Sequence, residues 1–158
     1  MDDVKSSSVC VSICGVQGRM KIIMDKKEIA VEKHKRGYNC CQAVACTFAD
    51  EVGLDESLLY KMAEGFGAGM GTGMGVCGAL IGAGMLAGLV HSDGNCDEAG
   101  QTKATTVRNS GQMQRIFIDK AQRLYCKDIK RGNNGTAFTS CDDCIRIATE
   151  AVQEILGL

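Results

Sequence analysis

No proline and no tryptophan occur in this chain of 158 residues, and aromatic residues make up only 4% of it. Without proline, helix ends must be set by capping side chains and by glycine. The scarcity of rings removes the stacking platforms on which proteins hold single-stranded nucleic acid. A basic excess is missing too. Lys and Arg number 18 against 19 Asp and Glu, for a net charge of −1, so no surface is built to meet a phosphate backbone and no nucleic-acid partner is expected. Strand-like alternation flanked by turn chemistry is not found anywhere in the chain. A membrane-spanning run is lacking as well. The uncharged stretch Gly65 to Val90 spends its first half on alternating glycine, a poor helix former. Its helical apolar part, Val76 to Val90, is shorter than the roughly 20 residues a span needs.

Glycine and cysteine are abundant instead, at 20 and 10 residues. Glycine occupies every second position from Gly65 to Gly75 and then gives way to Cys77-Gly78-Ala79-Leu80-Ile81-Gly82. Such a ladder lets backbone approach another group closely, because no side chain intervenes. The cysteine content is below that of small secreted disulfide scaffolds. Together with the acidic start of the chain and the absence of a convincing secretory signal, this leads to an expectation of a cytoplasmic protein with largely reduced thiols.

Length suits a single domain. Residues 1–19 read as a flexible arm, with Cys10 and Cys14 in it, and 20–158 as one helical domain. Asp25, Asn39, Asp55 and Ser140 are good N-caps. They predict helices to about Arg36, from Cys40 to about Val52, through about Glu64, and from Cys141 to the C-terminal end, the last with Asp143 at the capping-box position. A buried helix is expected from Val76 to about His91, small and apolar on every face. A long one is expected from about Asp97 to Cys126, with a break near Ser110-Gly111. Met113, Ile116, Phe117, Ala121 and Leu124 fall on one face of it, and Ile145, Ala148, Val152, Ile155 and Leu156 on one face of the last helix. The fold class is all-α: a compact bundle of five to six helices around a central Gly/Ala-rich buried helix.

On this reading Cys40, Cys77 and Cys141 sit in first turns of helices. Unpaired N–H groups and the helix dipole there favour a thiolate and lower the thiol pKa. Chance placement competes with this, since cysteine is also a small core hydrophobe. Other motifs carry less. Cys141-Asp142-Asp143-Cys144 has the dithiol spacing but no βαβ setting. Ile145 after Cys144 rules out a c-type haem attachment. Gly73-x-Gly75-x-x-Gly78 matches a dinucleotide fingerprint that no strand precedes. His34 and His91 read as solvent-facing, and Met70, Met74 and Met85 as gap fillers.

The segments Gly37-Tyr38-Asn39-Cys40-Cys41-Gln42-Ala43-Val44, Gly65 to Gly71 and Cys77 to Gly82 resemble the C_GCAxxG_C_C family of redox-active proteins over roughly Met24 to Leu156. The resemblance implies four functional cysteines: Cys40, Cys77, Cys126 and Cys141, with Cys144 the alternative to Cys141. The family in turn resembles part of the split-Soret cytochromes, whose haem motif is missing here, so only the cluster-binding idea transfers. Cys41, Cys46, Cys96 and Cys144 are additional to the family pattern.

Three functions follow as expectations. The first is electron transfer or redox sensing through an iron–sulfur cluster or other metal on Cys40, Cys77, Cys126 and Cys141, with backbone N–H groups of Gly71, Gly73, Gly75 and Gly78 tuning the sulfurs. The second is a thiol–disulfide oxidoreductase that cycles pairs of the same cysteines. The third is a structural zinc site or an inert bundle. A redox partner protein of unspecified identity and a homodimer through the Gly-x-x-x-Gly pairs complete the expectations.

Overall fold

A computed structural model describes residues 24–132 and 135–158; the arm 1–19, with Cys10 and Cys14, lies outside them. The described residues form seven helices: α1 Lys26–Lys35, α2 Cys40–Thr47, α3 Glu56–Ala63, α4 Gly78–His91, α5 Lys103–Ala121, α6 Cys126–Arg131 and α7 Cys141–Leu156. They contain no strand beyond one isolated antiparallel bridge, Val76 to Tyr125. The all-α class therefore holds, and no helix among them is long and apolar enough to cross a membrane.

The caps act where the side chains allow. The Asp25 carboxylate accepts from the N–H of Lys27, and that of Asp55 from Ser57 and Leu58. The Ser140 hydroxyl accepts from the N–H of Asp143 at 3.0 Å. Asn39 does more. Its Oδ1 accepts from the N–H groups of Cys41 and Gln42, each at 3.0 Å, and Gln42 Oε1 accepts from the Asn39 N–H at 2.8 Å. This is a reciprocal capping box. Buried Gln42 is further satisfied by donating to the Tyr60 carbonyl.

The central helix is α4. It packs on α2, α5 and α7, and Gly78, Ala79, Leu80, Gly82, Ala83, Leu86 and Ala87 are buried. A Cβ at Gly82 would lie 2.7 Å from the Cys41 carbonyl oxygen and 3.2 Å from Val44 Cβ. The pair Gly78/Gly82 is thus used inside the chain, to bring α2 against α4. Gly84 and Gly88 face open space. Met113, Phe117, Ile145, Ala148 and Val152 are fully buried on the predicted faces of α5 and α7, with Ile116, Leu124, Ile155 and Leu156 partly buried against them.

Five local expectations are corrected. Helix α2 stops at Thr47 because the chain turns at fully buried Phe48. Helix α5 begins at Lys103, since Asp93 and Asn95 bind the following backbone N–H groups in turns that compete with a helix. It runs unbroken past Gly111 and ends at Gln122, which takes the left-handed conformation at φ 61°. Cys126 therefore opens a short helix of its own instead of closing the long one. Met85 fills space against Cys41, sulfur to sulfur at 3.8 Å, but Met70 and Met74 are 58% and 65% exposed.

Candidate functional site

The glycine ladder is not an extended ribbon. After a 3-10 turn at Glu64–Phe66, Ala68 (φ 51°, ψ 39°), Gly69 (φ 61°, ψ 51°) and Met70 (φ 56°) form a left-handed helical turn. Glycine enters that region freely, whereas a residue with a Cβ loses roughly 1–2 kcal/mol there. The N–H groups of Gly71, Gly73 and Gly75 donate to the carbonyls of Gly67, Ala68 and Gly69 at 3.0, 2.9 and 3.2 Å. Those N–H groups are thus spent within the loop.

Two further contacts fix the loop. A Cβ at Gly67 would strike the Asn39 side chain at 2.7 Å, and Asn39 Nδ2 donates to the Glu64 carbonyl at 2.9 Å. The cap of α2 is therefore also the anchor of the glycine turn. On the other side, residues 73–77 lie antiparallel to 124–127. The Cys77 N–H donates to Leu124 at 3.0 Å, Cys126 to Gly75 at 3.0 Å and Lys127 to Gly73 at 2.7 Å. This short ladder sets Cys77, the residue before α4, beside Cys126, the first residue of α6.

These elements meet around one cavity of about 150 Å³, lined by His34, Asn39, Cys40, Ala68, Cys77, Cys126, Ile129, Lys130, Cys141 and Cys144. All four cysteines singled out from the sequence reach it, and so does Cys144. Cys41 and Cys46 are buried elsewhere in the core, and Cys96 is exposed at the far end of α4. All eight described cysteines are free thiols. Gly78 closes one wall: a Cβ there would stand 2.6 Å from Cys40 Sγ and 2.6 Å from the Phe66 carbonyl oxygen. Only glycine admits the sulfur so close to the start of α4.

The expected lowering of thiol pKa at helix starts does not occur. Contact with the Cys77 thiol and burial both push the Cys40 thiol up, against the opposing backbone N–H groups of Ala68 and Cys41. The neighbouring Cys144 thiol, ahead of burial, pushes Cys77 up to about 12, with Cys40 acting in the opposite sense. Burial raises Cys126 and Cys141, and the Lys130 ammonium opposes both rises. At these four thiols, neighbouring thiols and loss of hydration outweigh the groups that favour the charged form. Among the described residues, no three His, Cys, Asp or Glu side chains are arranged to share one metal ion.

The rim was not foreseen. His34 Nδ1 lies 2.8 Å from Asp142 Oδ1, which pins the start of α7 to the end of α1. Arg146 strengthens that junction with bonds to both Glu28 carboxylate oxygens at 2.8 and 3.2 Å. His34 and Lys130 enter the cavity from helix positions with no motif of their own. Asn39 was legible as a cap, and the Gln42 three residues later was the signal for the box.

The cysteines of four separate elements of the bundle thus converge on a single cavity. Residues 38–155 match the model of the family described as Putative redox-active protein (C_GCAxxG_C_C), and the chain belongs to that family. No curated protein and no solved structure matches the chain.

Proposed function

We propose that this protein is a one-electron redox carrier or sensor whose cavity holds an iron–sulfur cluster on Cys40, Cys77, Cys126 and one cysteine of the Cys141/Cys144 pair. The observation that carries the reading is the convergence of five thiols on one cavity of about 150 Å³. The donor set fits: iron–sulfur clusters are held by four cysteine thiolates. Zinc would take the same thiolates, and elemental analysis separates it from a cluster.

When bound, the cluster would supply electron transfer. The chain's own residues hold and insulate it. Cys77, Cys126 and Cys144 are 5%, 6% and 2% exposed, so most of the sulfur is kept from water. The Ala68 and Cys41 N–H groups lie near enough to Cys40 to favour its charged form, and hydrogen bonds of this kind tune cluster potentials. Lys130 offsets negative charge at the mouth.

Anaerobic reconstitution with ferrous iron and sulfide tests the proposal. Brown protein containing iron and acid-labile sulfide is expected; colourless protein free of both after careful reconstitution would reject it.

A second reading has its own support. The Cys77 thiol is in contact with both Cys40 and Cys144, as a cycling dithiol requires. Oxidation of either pair would form one S–S bond and release two protons and two electrons to an external disulfide acceptor. Mass spectrometry of the metal-free protein after mild disulfide treatment would reveal a loss of two hydrogens in one linked peptide pair. Uniformly reduced thiols would remove this reading.

A further inference from the structure

The cavity has one thiol more than a four-cysteine cluster uses, and the two cysteines of α7 are unlike each other. Cys144 is 2% exposed, belongs to the main core and touches Cys77. Cys141, three residues earlier on the same face of the helix, is exposed while still lining the cavity. Cys77 and Cys126 share the burial of Cys144, and Cys40 is partly buried. Four sulfurs thus form an inner set, and Cys141 is the most exposed of the five. Its backbone is held firmly, with Ser140 capping α7 and the His34–Asp142 and Arg146–Glu28 bonds fixing that end to α1. A rigid, water-accessible thiol at the mouth of a thiol cavity is placed to meet a reactant from outside.

Building on the cluster reading, we propose that Cys144 completes the inner set with Cys40, Cys77 and Cys126, and that Cys141 is a separate exchange thiol taking a small disulfide such as glutathione disulfide. In the exchange the Cys141 sulfur attacks one sulfur of the disulfide R–S–S–R. The R–S–S–R bond breaks, a bond from Cys141 Sγ to S–R forms, and the other half leaves as R–SH with the proton that Cys141 gives up. One disulfide is consumed, one is formed, and no outside oxidant is needed. The helix start alone would not suggest this. The assignment rests on the cavity, the paired cysteines and their opposite exposures.

The test uses the full chain, treated anaerobically with glutathione disulfide and mapped by peptide mass spectrometry, before and after reconstitution with iron and sulfide. Glutathione is expected on Cys141 in both states and on none of Cys40, Cys77, Cys126 and Cys144. C141S is expected to retain iron and sulfide at the wild-type level, whereas C144A, checked for helix content by circular dichroism, loses most of both. Iron lost from C141S and kept by C144A would overturn the assignment, as would protection of Cys141 by loading. If the wild-type chain takes up no iron, the cluster reading fails and mapping of the metal-free protein decides the exchange role: glutathione on Cys141 supports it, and glutathione on the inner cysteines ends it. If C144A does not fold, C141S and the mapping still decide.

Discussion

The two ends of α4 each border a cavity, and the larger one has the poorer chemistry. At the C-terminal end, Gly88, Ser92 to Cys96 and Lys103 line an open space of about 410 Å³, with one exposed thiol and side chains occupied by their own turns. At the N-terminal end, a cavity of about 150 Å³ gathers five thiols, a histidine and a lysine from α1, α2, the residue before α4, α6 and α7. Volume does not distinguish a site from a surface hollow. Convergence of one donor type from distant parts of the chain does, because each such placement needs its own supporting structure.

The largest expected effect concerns what both ends share. Leu86→Ala, in the fully buried middle of α4, should cost about 2–5 kcal/mol in a denaturant titration and weaken both ends together. If site and hollow were independent units, the thiols would keep their protection from alkylation in this variant.

Next comes a pair of glycine substitutions with opposite signs. Gly78→Ala drives a Cβ to 2.6 Å from Cys40 Sγ and a backbone oxygen, an overpacking that costs about 1–3 kcal/mol and should abolish iron uptake. Gly88→Ala meets nothing within 4 Å and should stabilise by about 0.5–1 kcal/mol through helix propensity. Equal thermal shifts for the two would show that the ends do not differ as described.

Alkylation sharpens the contrast without mutation. Loading with iron and sulfide should slow iodoacetamide labelling of Cys40, Cys77 and Cys126 and leave the rate at Cys96 unchanged. A change at Cys96 would mean that loading alters the whole molecule.

The smallest effect is an acid one, away from both ends. Glu56 bonds to Lys33 and to the Tyr38 hydroxyl, and Lys33 above all holds its carboxyl below the usual 4.5. A carboxyl lowered on folding contributes stability above its ordinary value and loses it as pH falls through the lowered one. Glu56→Gln should flatten that part of the stability–pH curve. The same slope in both proteins would remove Glu56 from the account.

How far this contrast was legible in the sequence depends on the residues. The faces of α5 and α7 and the caps at Asp25, Asn39, Asp55 and Ser140 were readable, since periodicity and capping are local properties. The convergence of Cys40, Cys77, Cys126 and Cys141 came from resemblance and was not reachable from spacing. The left-handed turn at Ala68 and Met70 was hidden because no local preference favours it; its glycines Gly67 and Gly69 pack tightly against Asn39 and Cys126, far away in sequence. His34 and Lys130 were missed for the same reason. The thiol pKa expectation failed because the dipole was visible in the sequence, and the contacts between thiols and their burial were not.

Iron-edge X-ray absorption of the anaerobically reconstituted protein tests the central claim most directly. A first shell of sulfur alone with an iron neighbour behind it is the predicted spectrum, and it should be lost in Cys77→Ser. Iron surrounded by oxygen or nitrogen, with no second iron nearby, would contradict the account.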